Sequence, residues 1–381
     1  MKKICIISGT RAEYGLLSPL MHAIKRESHY SLQVIVSGMH LSPEFGLTYR
    51  EIEKEGFTID EKVETLLSSD TDTGIIKSTG LGMIGFADAI NRLKPDLVVL
   101  LGDRFETFAA ATAAYLAKIP IAHLHGGETT EGATDEGLRH AITKMSYWHF
   151  TSTEIYRKRV IQLGESPDRV FNVGALGIDN IKKLSLLTKD ELTQSINFDI
   201  SRPFLLVTFH PVTLESNSAE KQFMELLKAF ECLFGMNVIF TKPNADANGR
   251  IIIELIDKFV SKNTMQYVSF TSLGQLRYLS LMKYAVAVVG NSSSGIIEAP
   301  SFGIPTINIG DRQRGRIAAT SVIHVPPVAE QISDAIKSIS TIRAEKIDNP
   351  YGSGDTTEKI VKILSENLNN IELKKSFHDI K

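Results

Sequence analysis

Asp96-Leu97-Val98-Val99-Leu100-Leu101 is an apolar run that stops at Gly102-Asp103-Arg104, and an Ala-rich helical pattern to Ala117 follows. The same figure recurs along the chain: an apolar, β-prone run, a glycine or polar exit, then a helix. Strands that are apolar throughout are buried on both faces, which requires a parallel sheet covered by helices. Parallel neighbours need right-handed crossovers, so the fold class is α/β and doubly wound. The pattern predicts strands at 3–8, 32–36, 96–101, 120–124, 149–151 and 170–174, then again at 204–209, 237–240, 267–270, 285–289 and 306–309. Helices are predicted from Arg11 to about Lys25, through 87–90, from about 105 to Ala117, from Asp135, and over 154–163. Residues 60–80 are polar and give no clear periodicity.

The chain has 381 residues, enough for two domains with full cores. The restart of the pattern near 204 fits a division into 1–172 and 173–364, and the tail after Gly354 reads as helical. With 43% hydrophobic residues, 23% charged residues and a net charge of −2, no nucleic-acid or membrane-surface partner is implied. Cys5 and Cys232 are the only cysteines and read as buried apolar residues in a reducing compartment. No zinc spacing is present and no metal is expected. The apolar run after Lys2 and Lys3 is too short for a signal peptide, so a cytoplasmic location is expected.

The unusual polar residues sit at the carboxyl ends of the predicted strands: Arg11, His40, Asp103, His125, His210, Asn244 and Ser292. In open α/β sheets that edge is the ligand crevice, and with two sheets the expected site is the cleft between them. Gly290-Asn291-Ser292-Ser293-Ser294-Gly295 is the most distinctive exit. Strand, small-residue loop and helix start together make an anion site, with free backbone N–H groups and serine hydroxyls. A plain Ser helix cap is the competing reading. Glu298 suits ribose hydroxyls better than a phosphate, and Arg312 can close on a diphosphate. Arg11 opposes the dipole at its helix start, which makes sense beside an anion.

Asp103 next to Arg104 reads as an acid–base carboxylate or a helix cap. His125-Gly126-Gly127-Glu128 places an imidazole and a carboxylate at one strand end. Asp135 opens a helix, and His210 precedes Pro211 at a constrained exit. Glu13, His40, Arg104 and Asn244 are candidate substrate contacts at the same edge. The residues alone therefore point to acid–base chemistry on a phosphorylated ligand.

Seven segments carry a resemblance: Gly9-Thr10-Arg11-Ala12-Glu13-Tyr14-Gly15, Gly38-Met39-His40, Gly102-Asp103-Arg104, His123-Leu124-His125-Gly126-Gly127-Glu128, His210-Pro211-Val212-Thr213, the Gly290–Gly295 loop and Gly310-Asp311-Arg312-Gln313. In this order they resemble the UDP-N-acetylglucosamine 2-epimerase family, and most of all its hydrolysing branch in bacterial sialic acid synthesis. The resemblance implies a two-domain GT-B fold, a homodimer, UDP held mainly by the second domain, and a C-terminal helix, about 365–381, that returns to the first. It implies conversion of UDP-N-acetylglucosamine and water to N-acetylmannosamine and UDP through a 2-acetamidoglucal, without a cofactor. Asp103 and Asp135 match catalytic carboxylate positions. Arg11, Ser292, Ser293, Glu298 and Arg312, with Gly290 and Asn291 in the same loop, match the nucleotide site. His210 and Asn244 match groups near diphosphate and sugar. Many relatives have Glu where this chain has His125, so either His125 or Glu128 takes that role. The same chemistry on a 2,4-diacetamido or GDP-linked sugar, a non-hydrolysing epimerase, a GT-B glycosyltransferase and a non-catalytic binder are the competing readings.

Overall fold

A computed structural model describes the chain apart from residues 68, 70, 216–217, 232–234, 244–247, 340–346 and 381. Cys232 and Asn244 therefore lie outside the described residues. In the first part of the chain the strands are β1 (Lys2–Ser8), β2 (Tyr30–Ser37), β3 (Glu61–Val63), β4 (Leu97–Leu101), β5 (Ile121–Leu124), β6 (Trp148–Thr151) and β7 (Val170–Asn172). They form a seven-stranded parallel sheet in the order β3-β2-β1-β4-β5-β6-β7. Further on come β8 (Phe204–Thr208), β9 (Asn237–Thr241), β10 (Tyr267–Phe270), β11 (Ala287–Gly290), β12 (Thr306–Ile309) and β13 (Val322–Val325). These make a six-stranded parallel sheet, β10-β9-β8-β11-β12-β13. In each sheet the strand order reverses at one place, between β1 and β4 and between β8 and β11. Those are the two switch points where such sheets bind ligands.

Alternation along the strands builds a core on both faces of each sheet. Ile4, Ile6, Leu97 and Val99 pack on one face of the first sheet, while Cys5, Ile7, Val98 and Leu100 pack on the other. Leu205 and Val207 divide from Phe204 and Leu206 in the same way in the second. Each such side chain contributes roughly 1.5–3 kcal/mol by leaving water, which is why apolar runs dominate the sequence signal.

Contacts divide the chain into one unit of Met1–Glu128, Asp135–Lys182 and Tyr351–Lys381, and another of Thr129–Thr134 and Lys183–Pro350. The division falls at Lys182 rather than at 172, because helix Leu176–Lys183 is tied to the first core. Asn180 Nδ2 donates to the Gly15 carbonyl at 2.9 Å, and the Asp179 carboxylate accepts from Thr356 N and Thr357 N at 2.9 and 2.7 Å. Asp179 thereby caps the last helix, which is Thr356–Asn367 rather than a helix over 365–381. Beyond a short turn the chain continues to Ile380 without helix or strand. Residues 129–134 pack with the second unit: Glu131 N–H donates to the Arg314 carbonyl, and Thr134 N–H to Thr213 Oγ1 at 3.0 Å. Among the described residues no helix is long and apolar enough to cross a membrane.

Candidate active site

In the first unit the chemistry gathers where β4, β5 and helix Asp135–Met145 meet. The buried Arg139 guanidinium ties them together. It donates to the Asp103 carboxylate, to Glu136 Oε2 at 2.6 Å and to the Glu128 carbonyl at 2.9 Å. Burial opposes the charge on Arg139, but Asp103, Glu128 and Glu136 around it outweigh burial and raise its pKa. Glu136 also meets His140 Nε2 at 3.1 Å. Asp135, half-buried, opens the same helix. Buried His123 is spent on structure: Nε2 faces the Gly102 carbonyl at 2.8 Å and Nδ1 faces Thr143 Oγ1 at 3.1 Å. That pins the backbone just before Asp103.

The exit of β5 folds back on itself. His125 has φ +65°, rare for a side-chain-bearing residue, and Gly127 has φ +77°. Only glycine fits at 127, because a β-carbon there would lie 2.5 Å from the Tyr156 carbonyl oxygen. The reversal brings His125 Nδ1 within 2.9 Å of Glu128 Oε1. His125 Nε2 is buried and has no hydrogen-bond partner among the described residues.

The other candidates in this unit are engaged by their own chain. Arg11 does have an anion beside it, but that anion is Glu51, with Nε 2.6 Å from Oε2. Glu13, proposed as a substrate contact, closes a capping box: Oε2 accepts from Gly9 N at 2.8 Å and from Thr10 N at 3.3 Å. Burial, partly offset by Arg104, pushes its carboxyl up to about 7. His40 is fully buried, with Nε2 2.9 Å from Ser8 Oγ and Nδ1 2.8 Å from Thr48 Oγ1. Burial lowers its pKa to about 4, and with both nitrogens occupied it is a core histidine. Arg104 Nε donates to Glu106 Oε2 at 3.2 Å; the sequence reading did not single out Glu106.

In the second unit β8 and β11 flank the switch point, and Asn291 joins their exits. Its Oδ1 accepts from His210 N–H at 2.7 Å and its Nδ2 donates to the His210 carbonyl at 2.8 Å. The Asn291 side chain is fully buried and engaged in that clamp. Gly290 has a reason of its own. At φ +133°, a β-carbon would sit 1.9 Å from the Thr208 carbonyl oxygen, so β8 itself demands the glycine. The Asn291 carbonyl in turn accepts from Arg312 Nη1 at 3.1 Å and Gln313 Nε2 at 3.0 Å. Arg312 is thus carried to the same exit.

Ser292, Ser293 and Ser294 are half-buried at the start of a helix of only five residues, Ser293–Ile297. Ser292 is its N-cap and accepts from Ser294 N, so the capping reading holds alongside any ligand role. Tyr278, absent from the sequence reading, lies with its hydroxyl 2.5 Å from Ser294 Oγ, and burial raises its pKa to about 12. Glu298, also buried, follows directly as the helix C-cap.

These exits carry hydroxyl, imidazole, carboxylate and guanidinium groups at the switch points of two parallel sheets. The chain matches known proteins in sequence and in fold. The family model for UDP-N-acetylglucosamine 2-epimerase matches residues 22–365. A hydrolysing GDP/UDP-N,N'-diacetylbacillosamine 2-epimerase of Campylobacter jejuni is 48% identical over 322 residues, 84% of either chain. The polysialic acid biosynthesis protein P7 of Escherichia coli is 39% identical over 100% of this chain and 98% of its own. A UDP-N-acetylglucosamine 2-epimerase of Neisseria meningitidis, solved bound to its nucleotide sugar, superposes with a TM-score of 0.80 at 22% identity, covering 96% of this chain and 100% of that one. The two doubly wound units are the GT-B fold, and the chain belongs to the UDP-N-acetylglucosamine 2-epimerase family of enzymes.

Proposed function

We propose that the chain is a hydrolysing 2-epimerase of a UDP-linked 2-acetamido sugar. The observation that supports the reading is His125: a buried imidazole with one nitrogen on Glu128 and the other without a partner among the described residues, at the strand end next to Asp103. In the proposed reaction a base takes the proton from the sugar's second carbon while the bond from the first carbon to UDP breaks. The product is a 2-acetamido glycal of the donor sugar. Water then adds its oxygen to the first carbon, and a proton returns to the second carbon on the opposite face. Two faces need two proton-transfer groups, and His125 with Asp103 and Asp135 supplies them. Stabilising the leaving diphosphate falls to the serine loop, His210 and Arg312, with Glu298 toward the ribose.

The donor is a 2,4-diacetamido-trideoxy sugar on this reading, supported by the 48% identical relative that acts on diacetylbacillosamine. UDP-N-acetylglucosamine, yielding N-acetylmannosamine for sialic acid synthesis, is the second reading, supported by the relative named for polysialic acid biosynthesis. A cytoplasmic location and a homodimer are proposed on the resemblance. A nucleotide-release assay over UDP- and GDP-linked N-acetylglucosamine and diacetylbacillosamine tests the donor. The diacetamido sugar should give the highest kcat/KM. Preference for UDP-N-acetylglucosamine would select the second reading, and turnover of no donor would remove the enzymatic one.

A further inference from the structure

His125 does not hold its position alone. Glu128 Oε1, 2.9 Å from His125 Nδ1, also accepts a hydrogen bond from Ser152 Oγ at 2.7 Å. Ser152 follows β6, the neighbour of β5 in the sheet, and is 1% exposed; Glu128 is 3% exposed. The backbone of Glu128 is fixed as well, through its carbonyl on Arg139. An ionised carboxylate only accepts hydrogen bonds, so the imidazole nitrogen that faces it carries the hydrogen. That choice leaves the lone pair on Nε2, the nitrogen that is buried and has no partner among the described residues. The left-handed backbone at His125 costs of order 1 kcal/mol or more, and it is what points the ring at Glu128.

We propose that Glu128 and Ser152 are positioning residues: they hold His125 as the Nδ1–H tautomer, so that Nε2 is the nitrogen that exchanges a proton with the substrate. The inference rests on reading His125 as a proton-transfer group. It gives the proton transfer to His125, with Glu128 acting through the imidazole, and it adds Ser152, which no sequence motif marks. Within the set of three, Glu128 keeps its charge, Ser152 keeps its proton, and the proton change falls on Nε2 alone; the proton on the opposite face of the sugar is carried by the carboxylate of Asp103 or Asp135.

Nitrogen-15 NMR of histidine-labelled, ligand-free protein reads the tautomer without catalysis. At about pH 8, above the ordinary imidazole range, the His125 signals should show a hydrogen-bearing Nδ1 and a bare Nε2; they are assigned by their loss in His125→Ala. Glu128→Ala should move the hydrogen to Nε2 and lower kcat by roughly 10²-fold or more with KM little changed. Ser152→Ala, the milder change, should populate both tautomers and lower kcat by about tenfold, the worth of one hydrogen bond. A merely structural pair would lower the melting temperature and leave tautomer and kcat alone. An Nε2–H ring in the unmodified protein, or an unchanged ring in both variants, overturns the positioning role even if His125→Ala is inactive. An Nδ1–H ring with normal turnover in His125→Ala instead overturns the catalytic role of His125.

Discussion

Replacing Asn291 with Ala separates a clamp from a ligand. Two hydrogen bonds to the His210 backbone, at 2.7 and 2.8 Å, disappear together, and both lie out of water. Each contributes about 1 kcal/mol net, and each leaves behind a buried His210 group whose desolvation costs about 1–3 kcal/mol. Water entering the vacated space recovers part of that, so the expected loss is about 2–4 kcal/mol. With a urea slope of about 1–3 kcal/mol per molar, the midpoint should fall by about 1–2 M. Circular dichroism is the appropriate probe, because the single tryptophan, Trp148, reports only on the first unit. Asn291→Asp should not rescue, since it keeps the acceptor for His210 N–H but sets a carboxylate against the His210 carbonyl. A midpoint within about 0.3 M of the unmodified protein, with UDP affinity by calorimetry reduced more than about tenfold, would refute the clamp and return Asn291 to the nucleotide site.

Arg312→Ala removes one charge-assisted donor from the proposed diphosphate site and should raise the apparent KM by about 10–100-fold, from roughly 1.5–3 kcal/mol. Unchanged UDP affinity by calorimetry would take Arg312 out of the site. Glu13 gives a pH signature. Its folded pKa of about 7 lies above the unfolded carboxylate value, so the folded state holds the extra proton and stability falls as pH rises from about 4.5 to 7. Glu13→Gln should flatten that fall in urea midpoints across the window, and identical slopes in both proteins would contradict the assignment.

The strands and the edge that carries the site were readable because apolar runs such as Leu97–Leu101 and Phe204–Thr208 fill buried positions on both faces. What those polar exits do was less readable. Arg11, Glu13 and His40 sit at the edge as expected, but Glu51, the Gly9–Thr10 amides, Ser8 and Thr48 occupy them. A position at the crevice is local, and the Thr10–Glu13 capping box was local and legible too, whereas the partners of Arg11 and His40 lie on other segments. The same reason hides Ser152 and Tyr278, whose partners lie 24 and 16 residues away. Arg139 left a usable signal, three residues after Glu136 on one helix face. Strand β3 escaped because Glu61-Lys62-Val63 opens the polar stretch; β13, Val322-Ile323-His324-Val325, carries as much apolar pattern as the predicted edge strands β7 and β10 and was legible. Helix Asp72–Leu93 begins inside the polar stretch, where composition obscured its period.

The elimination route itself has one direct test. Breaking the carbon–hydrogen bond at the sugar's second carbon exchanges that proton with solvent, so the reaction is run in heavy water with the donor that turns over best. Proton NMR of the released sugar should show one deuterium at the second carbon and inverted configuration there. Asp103→Asn should suppress that turnover while UDP still binds. Released sugar that keeps its proton and its original configuration would contradict elimination and leave a simple hydrolase or glycosyltransferase.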